Sequence, residues 1–428
     1  MILMIIKQGI RGGISTISHR YGKANNKYMT AIDSCSTSEP SSYITYLDAN
    51  NLYGWAMSKA LPTRGFKWMS VDELNNWNLL GSCILEVDLE YPDDLHDLHN
   101  DYPLAPESVK LECSDTPKLI PNLNDKKKYV LHHENLKLYQ RLGLKIVKIH
   151  RGIIFEESAW LKKYIDLNTE LRTRAINNFE KDFFKLMNNS VFGKTLERIE
   201  NHVDIKLVCA EKEAIKLVSK TNYDRLTIFD ENLIAVHMKK TRLFYNKPIY
   251  LGMCILDLSK TLMYDFHYDF ILKKYKDRAK LLFTDTDSLA YQIQTEDFYA
   301  DIANDVKSRF DTSDYPEDHP SGIKTGINKN VIGMFKDEAG GKQIDEFVGL
   351  RAKLYSYRMD GEDHKKCKGV KQSVVKKTIT HDDYKNCLFT KQEQLRKMNV
   401  FRSYHHDIYT EQVNKVALSA DDDKRVIM

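Results

Sequence analysis

The sequence predicts an α+β fold organised on a mostly antiparallel sheet, and three observations lead there. Segments of alternating β-branched and aromatic residues recur, among them Tyr43-Ile44-Thr45-Tyr46-Leu47-Asp48, Gly81–Tyr91 and Leu144–Phe155. The stretch from Glu156 to about Glu200 holds no proline and a single glycine, Gly193, among strong helix formers. At 428 residues, 42% of them hydrophobic, the chain is too long for one core and long enough for two or three subdomains.

Taken in order, residues 1–42 are mixed, with a turn at Arg11-Gly12-Gly13 and a polar loop from Ser34 to Ser42. Tyr43–Asp48 is a strand ending on a carboxylate. The acidic, proline-containing stretch Tyr91–Glu107 reads as loops between two strands. Its His96 and His99 have HxxH spacing and are expected on a surface loop, because no nearby His or Cys completes four ligands. The helical stretch is expected to break near Asn168–Thr169 into a pair of helices. Residues 203–245 read as short strands around one helix, and Pro248 opens the next helix. Leu281–Phe283 and Ser288–Ile293 form a hairpin around Asp285-Thr286-Asp287, and from about 321 strands alternate with basic helices.

Composition excludes several classes. Lys+Arg 64 against Asp+Glu 60 gives +4, too small an excess for a purely electrostatic binder, though it leaves room for one basic face. The seven cysteines, at 35, 83, 113, 209, 254, 367 and 387, form no CxxC pair. That argues for free thiols in a reducing compartment. Met1–Ile6 lacks the flank and length of a signal peptide, and no apolar run approaches the roughly 18–20 residues of a membrane helix. The expectation is a soluble intracellular protein without a membrane partner.

Three clusters carry chemistry. In Asp48-Ala49-Asn50-Asn51-Leu52-Tyr53-Gly54 a carboxylate at a strand end is followed by a turn and an aromatic side chain. Such a carboxylate can hold a hard cation, although alone it more often caps a helix beginning near Leu52. In Thr284-Asp285-Thr286-Asp287-Ser288, residues two apart on an extended chain point the same way, so both carboxylates can face one site suited to Mg²⁺. The same residues also read as a solvated hairpin tip, or as the DxD of a glycosyltransferase. Around Lys185–Gly193, helical spacing puts Arg174, Asn178, Lys181, Lys185 and Asn189 on one face, a stripe able to cradle a triphosphate. Phe183, Phe184, Met187 and Val191 are expected as the buried opposite stripe, and Gly193 would admit a nucleic-acid backbone. A solvated face is the plainer reading of such a stripe.

In this order the clusters resemble the A, B and C motifs of family B DNA polymerases. Asp48 with Leu52-Tyr53 is similar to DxxSLYP, Lys185 with Asn189-Ser190-Val191-Phe192-Gly193 to KxxxNSxYG, and Asp285-Thr286-Asp287-Ser288 to YxDTDS. The long gaps between motifs, with Asn50–Met57 and Phe184–Ser190, resemble the protein-primed branch of phages, linear organelle plasmids and Polinton or Maverick elements. Arg11-Gly12-Gly13 resembles the turn joining exonuclease and polymerase modules. Lys353-Leu354-Tyr355 resembles the KxY element at the primer terminus, and Lys366-Cys367-Lys368-Gly369 the basic segment after it. Six lysines and no acid lie between Lys365 and Lys377, a local positive field suited to phosphates. The departures are Asn51 for the usual Ser, Gly54 for Pro, Phe192 for Tyr, and Phe283 at the usual Tyr of motif C.

The resemblance implies a right-hand polymerase fold with an antiparallel-sheet palm, helical fingers and a small thumb. It implies residues 1–42 as a remnant of the exonuclease junction, 43–155 as palm with an insertion, and 156–200 as fingers. Residues 201–345 would hold a second insertion and the palm with the motif C hairpin, and 346–428 the end of the palm and the thumb. Asp48, Asp285 and Asp287 would be the catalytic, metal-binding carboxylates for two Mg²⁺ ions, with Mn²⁺ as a substitute. Tyr53, Arg172, Arg174, Lys185, Asn189 and Phe192 would bind the dNTP, and Gly193, Lys353, Tyr355, Lys366 and Lys368 the primer-template DNA. Insertions at 81–150 and 203–245 are candidate contacts for a terminal priming protein and for strand displacement. The front end before Asp48 is too short for a proofreading domain, which raises a non-catalytic, nucleic-acid-binding mobile-element remnant as the alternative. A sugar transferase leaves Lys185–Gly193 and Lys353–Tyr355 unexplained, and a reverse transcriptase would carry adjacent aspartates at motif C.

Overall fold

The strand Ser42–Ala49 is buried along most of both faces, which explains its nearly continuous apolar and aromatic run. It is central to a six-stranded sheet ordered Ser15–Ile17, Ala279–Asp285, Ser288–Gln294, Ser42–Ala49, Phe335–Asp337 and Phe310–Asp311. All its pairings are antiparallel except the last, where Phe310–Asp311 runs parallel to Phe335–Asp337. These relationships come from a computed structural model that describes residues 2–29, 39–79, 81–111, 116–404, 407–422 and 424. Ser34–Ser38 of the polar stretch, Cys35 and Cys113 lie outside the described residues; the five described cysteines are free.

Behind the sheet runs the helix Ile249–Asp265, which follows Pro248 and buries side chains on every face, as an interior helix must. It continues into a wider turn, Phe266–Leu272, where Phe266 stacks on Phe335 of the central sheet at 3.6 Å between ring centroids. A second sheet, ordered Leu61–Trp68, Lys145–Ser158, Cys83–Glu90 and Lys126–His132, packs Ile84, Val130 and Ile153 against Met253, Cys254 and Ile255 of that helix. A third sheet, Glu362–Cys367, Leu354–Met359, Ile344–Arg351 and Tyr21–Lys23, is covered by the helix His381–Thr390 through Tyr384 and Cys387. The strands Asp204–Val208, Tyr223–Asp230 and Leu233–Met238 enclose a small core of their own with the helix Glu211–Val218. A long ribbon, Gln394–Tyr404 with Asp407–Leu418, stands largely exposed.

Four expectations are corrected. The helical stretch starts at Lys162, since Glu156–Ser158 closes a strand, and it breaks at 175–177 rather than at Asn168–Thr169. Asn168 and Thr169 stay helical because their side chains donate to the carbonyls of Tyr164 and Ile165 one turn back. Asn177 then caps the second helix, Asn178–Thr195, by accepting from the Glu180 N–H at 2.9 Å. Arg174 therefore belongs to a different helix from Asn178, Lys181, Lys185 and Asn189. The stripe opposite them is not buried either: Phe183 is exposed, and Phe184, Met187 and Val191 are only half-buried. His96–His99 is a short helix rather than a loop, and His99 is fully buried, hydrogen-bonded to the Tyr91 hydroxyl at 2.9 Å. Near the start of the chain, Ser15–Ile17 and Tyr21–Lys23 are edge strands of the first and third sheets.

Candidate active site

Asp48 lies at the end of the central strand, opposite Ser288 on one side and Lys336 on the other. The Ala49 N–H donates to the Asp287 carbonyl at 2.7 Å and fixes that strand end to the hairpin turn. The turn is tight: Thr286 has a left-handed φ of 68°, and the Asp287 N–H donates back to the Asp285 carbonyl at 2.8 Å. Asp285 and Asp287 therefore do not share a face by strand alternation, which corrects the extended-chain expectation. Asp285 is held by Lys353 at 3.0 Å, while Asp287 lies within electrostatic reach of Asp48.

Burial raises the Asp48 carboxyl to about 8, and the Asp287 and Glu338 carboxylates add to the effect, with Lys185 and Lys336 opposing it. Burial also pushes Asp287 up, with Asp285 adding and Lys185 and Lys353 opposing. Among the described residues, no three His, Cys, Asp or Glu side chains converge into a cluster that could hold a metal ion. A pair of half-buried carboxylates suits a cation that takes its remaining oxygens from elsewhere.

The turn is braced from behind. The Thr286 N–H donates to the Ile14 carbonyl at 2.7 Å, and a Cβ on Gly13 would sit 2.4 Å from the Thr286 methyl, so only glycine fits there. Lys260, 5% exposed on the interior helix, donates to the Arg11 carbonyl at 2.8 Å and lies 3.8 Å from Asp257. Asp257 accepts from the His132 N–H at 2.9 Å, and Arg11 lies over the Tyr129 ring at 3.7 Å. Sequence reasoning missed Lys260, Asp257, Lys336 and Glu338. The available signal was a Lys and an Asp one turn apart inside an otherwise apolar helix.

Tyr53 stacks on Phe192 at 4.2 Å between centroids and 23° between planes, joining the first and second clusters directly. Two departures in the first cluster explain one another. Asn51 has a left-handed φ of 44°, which Asn tolerates, and its side chain accepts from the Gly54 N–H at 3.3 Å. A Cβ at position 54 would lie 2.1 Å from that same side chain, so Asn51 in this conformation requires Gly54.

On the helix Asn178–Thr195, Lys185 is exposed and acts electrostatically on both Asp48 and Asp287, and Asn189 is half-buried one turn on. At Gly193 an added Cβ would meet no atom, so its bareness serves no packing within the described chain. Arg174 pairs with Glu170 at 2.5 Å, and Arg172 is half-buried on the same helix. Lys353 sits in a turn with φ 62°, and its carbonyl accepts from the Lys368 N–H at 3.1 Å. Tyr355 stacks on Phe283 at 4.4 Å, and its hydroxyl meets that of Tyr46 at 3.2 Å. Lys366 pairs with Tyr355 across the strands and exposes its side chain. The structure thus brings Asp48, Asp287, Lys185, Tyr53 and Phe192 together, with Asp285, Lys353 and Lys368 alongside, and leaves Arg174 engaged elsewhere.

Comparison with known proteins gives a consistent result. The family model described as DNA polymerase type B, organellar and viral, matches residues 4–272. No curated protein matches. Among solved structures, phi29 DNA polymerase in an orthorhombic crystal form is similar at TM-score 0.57 and 15% identity over 97% of this chain and 63% of that one. Phi29 DNA polymerase complexed with primer-template DNA and incoming nucleotide substrates gives TM-score 0.56 and 14% identity over 97% and 62%. The chain therefore spans under two thirds of the length of these structures, and it shares their right-hand fold. Among the described residues, no helix is long and apolar enough to cross a membrane.

Proposed function

Because the chain belongs to the organellar and viral type B DNA polymerases, we propose that it adds dNTPs to a primer 3′-hydroxyl under direction of a template, in the manner of the protein-primed branch. The observation that carries this reading is the approach of Asp48, at the end of its strand, to Asp287, in the hairpin turn tied to that strand through the Ala49 N–H, with Lys185 acting on both. Ionising two half-buried carboxyls side by side is costly alone, which is what raises Asp48, and becomes favourable once a divalent cation is held between them. Asp48 and Asp287 would hold Mg²⁺, with Asp285 contributing once Lys353 releases it. The bound cations would supply Lewis-acid stabilisation of the entering and leaving oxygens.

The chain's own residues do the rest. Lys185, with Arg172 from the neighbouring helix, offsets the charge that accumulates on the β- and γ-phosphates as pyrophosphate leaves. With Arg174 tied to Glu170, Arg172 is the arginine we assign to this role. Asn189 lies on the same helix face. Tyr53, backed by Phe192, forms the floor under the sugar and excludes a 2′-hydroxyl by shape. Lys353 exchanges its Asp285 partner for the primer phosphate, and Tyr355, fixed by Phe283 and Tyr46, positions that end. Gly193, Lys366 and Lys368 leave open or cationic surface along the duplex. A terminal priming protein would meet the segments 81–150 or 203–245.

Extension of a labelled primer with Mg²⁺ and dNTPs tests the reading. Activity in the unaltered chain that disappears in both Asp48→Ala and Asp287→Ala is expected, and retained extension in either variant overturns the assignment.

A further inference from the structure

One cavity joins Lys353 and Lys368 of the proposed primer grip to three cations that the polymerase reading leaves unassigned, Lys118, Arg351 and Lys424. Lys118, Arg351, Lys353, Lys368 and Lys424 surround a space of about 350 Å³, and Asp422 shares its wall. Lys118 comes from the strand Lys118–Ile120, Arg351 and Lys353 border the turn before Leu354–Met359, and Lys368 follows Glu362–Cys367. Asp422 and Lys424 arrive from the segment after the exposed ribbon. That segment is fastened at both ends. The Arg20 guanidinium donates to the Ala420 carbonyl at 2.8 Å, and Lys424 Nζ donates to the Ser15 carbonyl at 2.8 Å. Between the anchors, the Lys424 N–H donates to the Asp422 carboxylate at 3.1 Å.

The second anchor is close to the catalytic turn, since Ser15 is the strand partner of Asp285 and Asp285 holds Lys353. Asp422, Lys118, Lys368 and Asp285 all act electrostatically on the Lys424 ammonium. Two carboxylates, Asp285 and Asp422, thus occupy a cluster of cations that matches the charge and oxygen chemistry of a nucleic-acid phosphate.

We propose that residues 419–422, anchored again at Lys424, form an autoinhibitory strap whose Asp422 carboxylate holds the place of a primer-strand phosphate. The proposal rests on the polymerase reading: primer-template competes with the strap for Lys118 and Lys368, and entry of the duplex lifts it. The Arg20 and Lys424 anchors set how readily it lifts.

The test uses the full chain and a fluorescein-labelled primer-template with a recessed 3′ end. By anisotropy, Asp422→Asn is expected to bind about two- to fivefold tighter than the unaltered chain, the scale of losing one partly exposed ion pair. Asp277→Asn, an equal charge change on an exposed residue with no role in the site, is expected to bind unchanged. In the unaltered chain, hydrogen exchange at the amides of 419–422 is expected to rise when primer-template is added. If the unaltered chain extends primers but Asp422→Asn binds equally or more weakly, the strap fails and the polymerase reading stands. Slower exchange at 419–422 with DNA overturns the strap in the same way. If neither chain binds or extends the primer-template, the polymerase reading fails and takes the strap with it.

Discussion

Asp48 ends a strand buried on both sides and locked to its neighbours, whereas Lys185 stands on a helix exposed over most of its length. In the palm, position is set at folding: Ala49 ties to Asp287, Thr286 to Ile14, and Lys260 to Arg11. The helices Lys162–Arg174 and Asn178–Thr195 pair with each other, with Tyr164 donating to the Met187 carbonyl at 3.2 Å, and only part of their apolar surface reaches the core. Several of their apolar side chains remain in water, Phe179 at 78% and Leu186 at 58% exposure. A preformed pair of carboxylates needs rigid burial to hold its charges together. The cations that answer a nucleotide need freedom to close on it, and helices with few buried contacts sit at the low-stability end of a fold.

The sharpest way to break this contrast is to remove a palm charge. Asp48→Asn should lower primer extension by more than about 10³-fold, the scale of a group acting directly on the transition state. Thermal melting should stay within a few degrees or rise, because a carboxyl whose ionisation its surroundings disfavour is replaced by a neutral amide of the same shape; a large loss of stability would show that Asp48 supports the fold instead.

Acid should reach the buried core around the palm before it reaches the fingers. Burial lowers His99 to about 4 and His267 to about 3, while each ring bonds a tyrosine hydroxyl. An unfolded chain takes up these protons from about pH 6.5 downward and the folded chain does not. Their stabilisation is therefore complete above about 6.5 and falls as pH drops toward 4, by on the order of a few kcal/mol. Urea midpoints at pH 7 and 4.5 measure this. His99→Gln with His267→Gln should flatten the slope, and an unchanged slope would remove these rings from the account.

In the fingers, Lys185→Ala should raise the KM for dNTP by about ten- to a hundredfold without altering the melting temperature. A lowered melting temperature would mean that this helix is as firmly packed as the palm. Between the two regions, Gly54→Ala should cost about 1–3 kcal/mol by overpacking against Asn51, and Asn51→Ser in the same chain should return part of it. Strict additivity of the two would remove the link. The smallest effect is expected at Phe179→Ser, within about 0.5 kcal/mol; a larger loss in a urea titration would reveal packing that the exposed ring does not show.

Much of this was legible in the sequence where local pattern and tertiary role agree. Tyr43–Asp48, the hairpin around Asp285-Thr286-Asp287 and the helix after Pro248 declare themselves through alternation, a polar turn and an apolar run. The helix break was misplaced because Asn168 and Thr169 satisfy their own polar groups inside the helix, which composition alone cannot reveal. His99 read as a loop residue among acids, yet Tyr91 from the same stretch and Tyr268 from a distant helix close over it. The extended geometry expected of Asp285 to Asp287 failed on one dihedral, the positive φ of Thr286, which depends on Gly13 leaving room behind it. Lys260 was hidden for the same reason: its partner carbonyl belongs to Arg11, at the other end of the chain.

The reciprocal fit of Asn51 and Gly54 also governs how this lineage can change. Any side chain entering at 54 meets Asn51 first, so the route back to the Ser and Pro usual at these places is open in one order only. Residue 51 must mutate before residue 54, and a swap in the reverse order passes through a damaged intermediate. The pair thus imposes an order on substitution, which a single-residue scan at either position would miss.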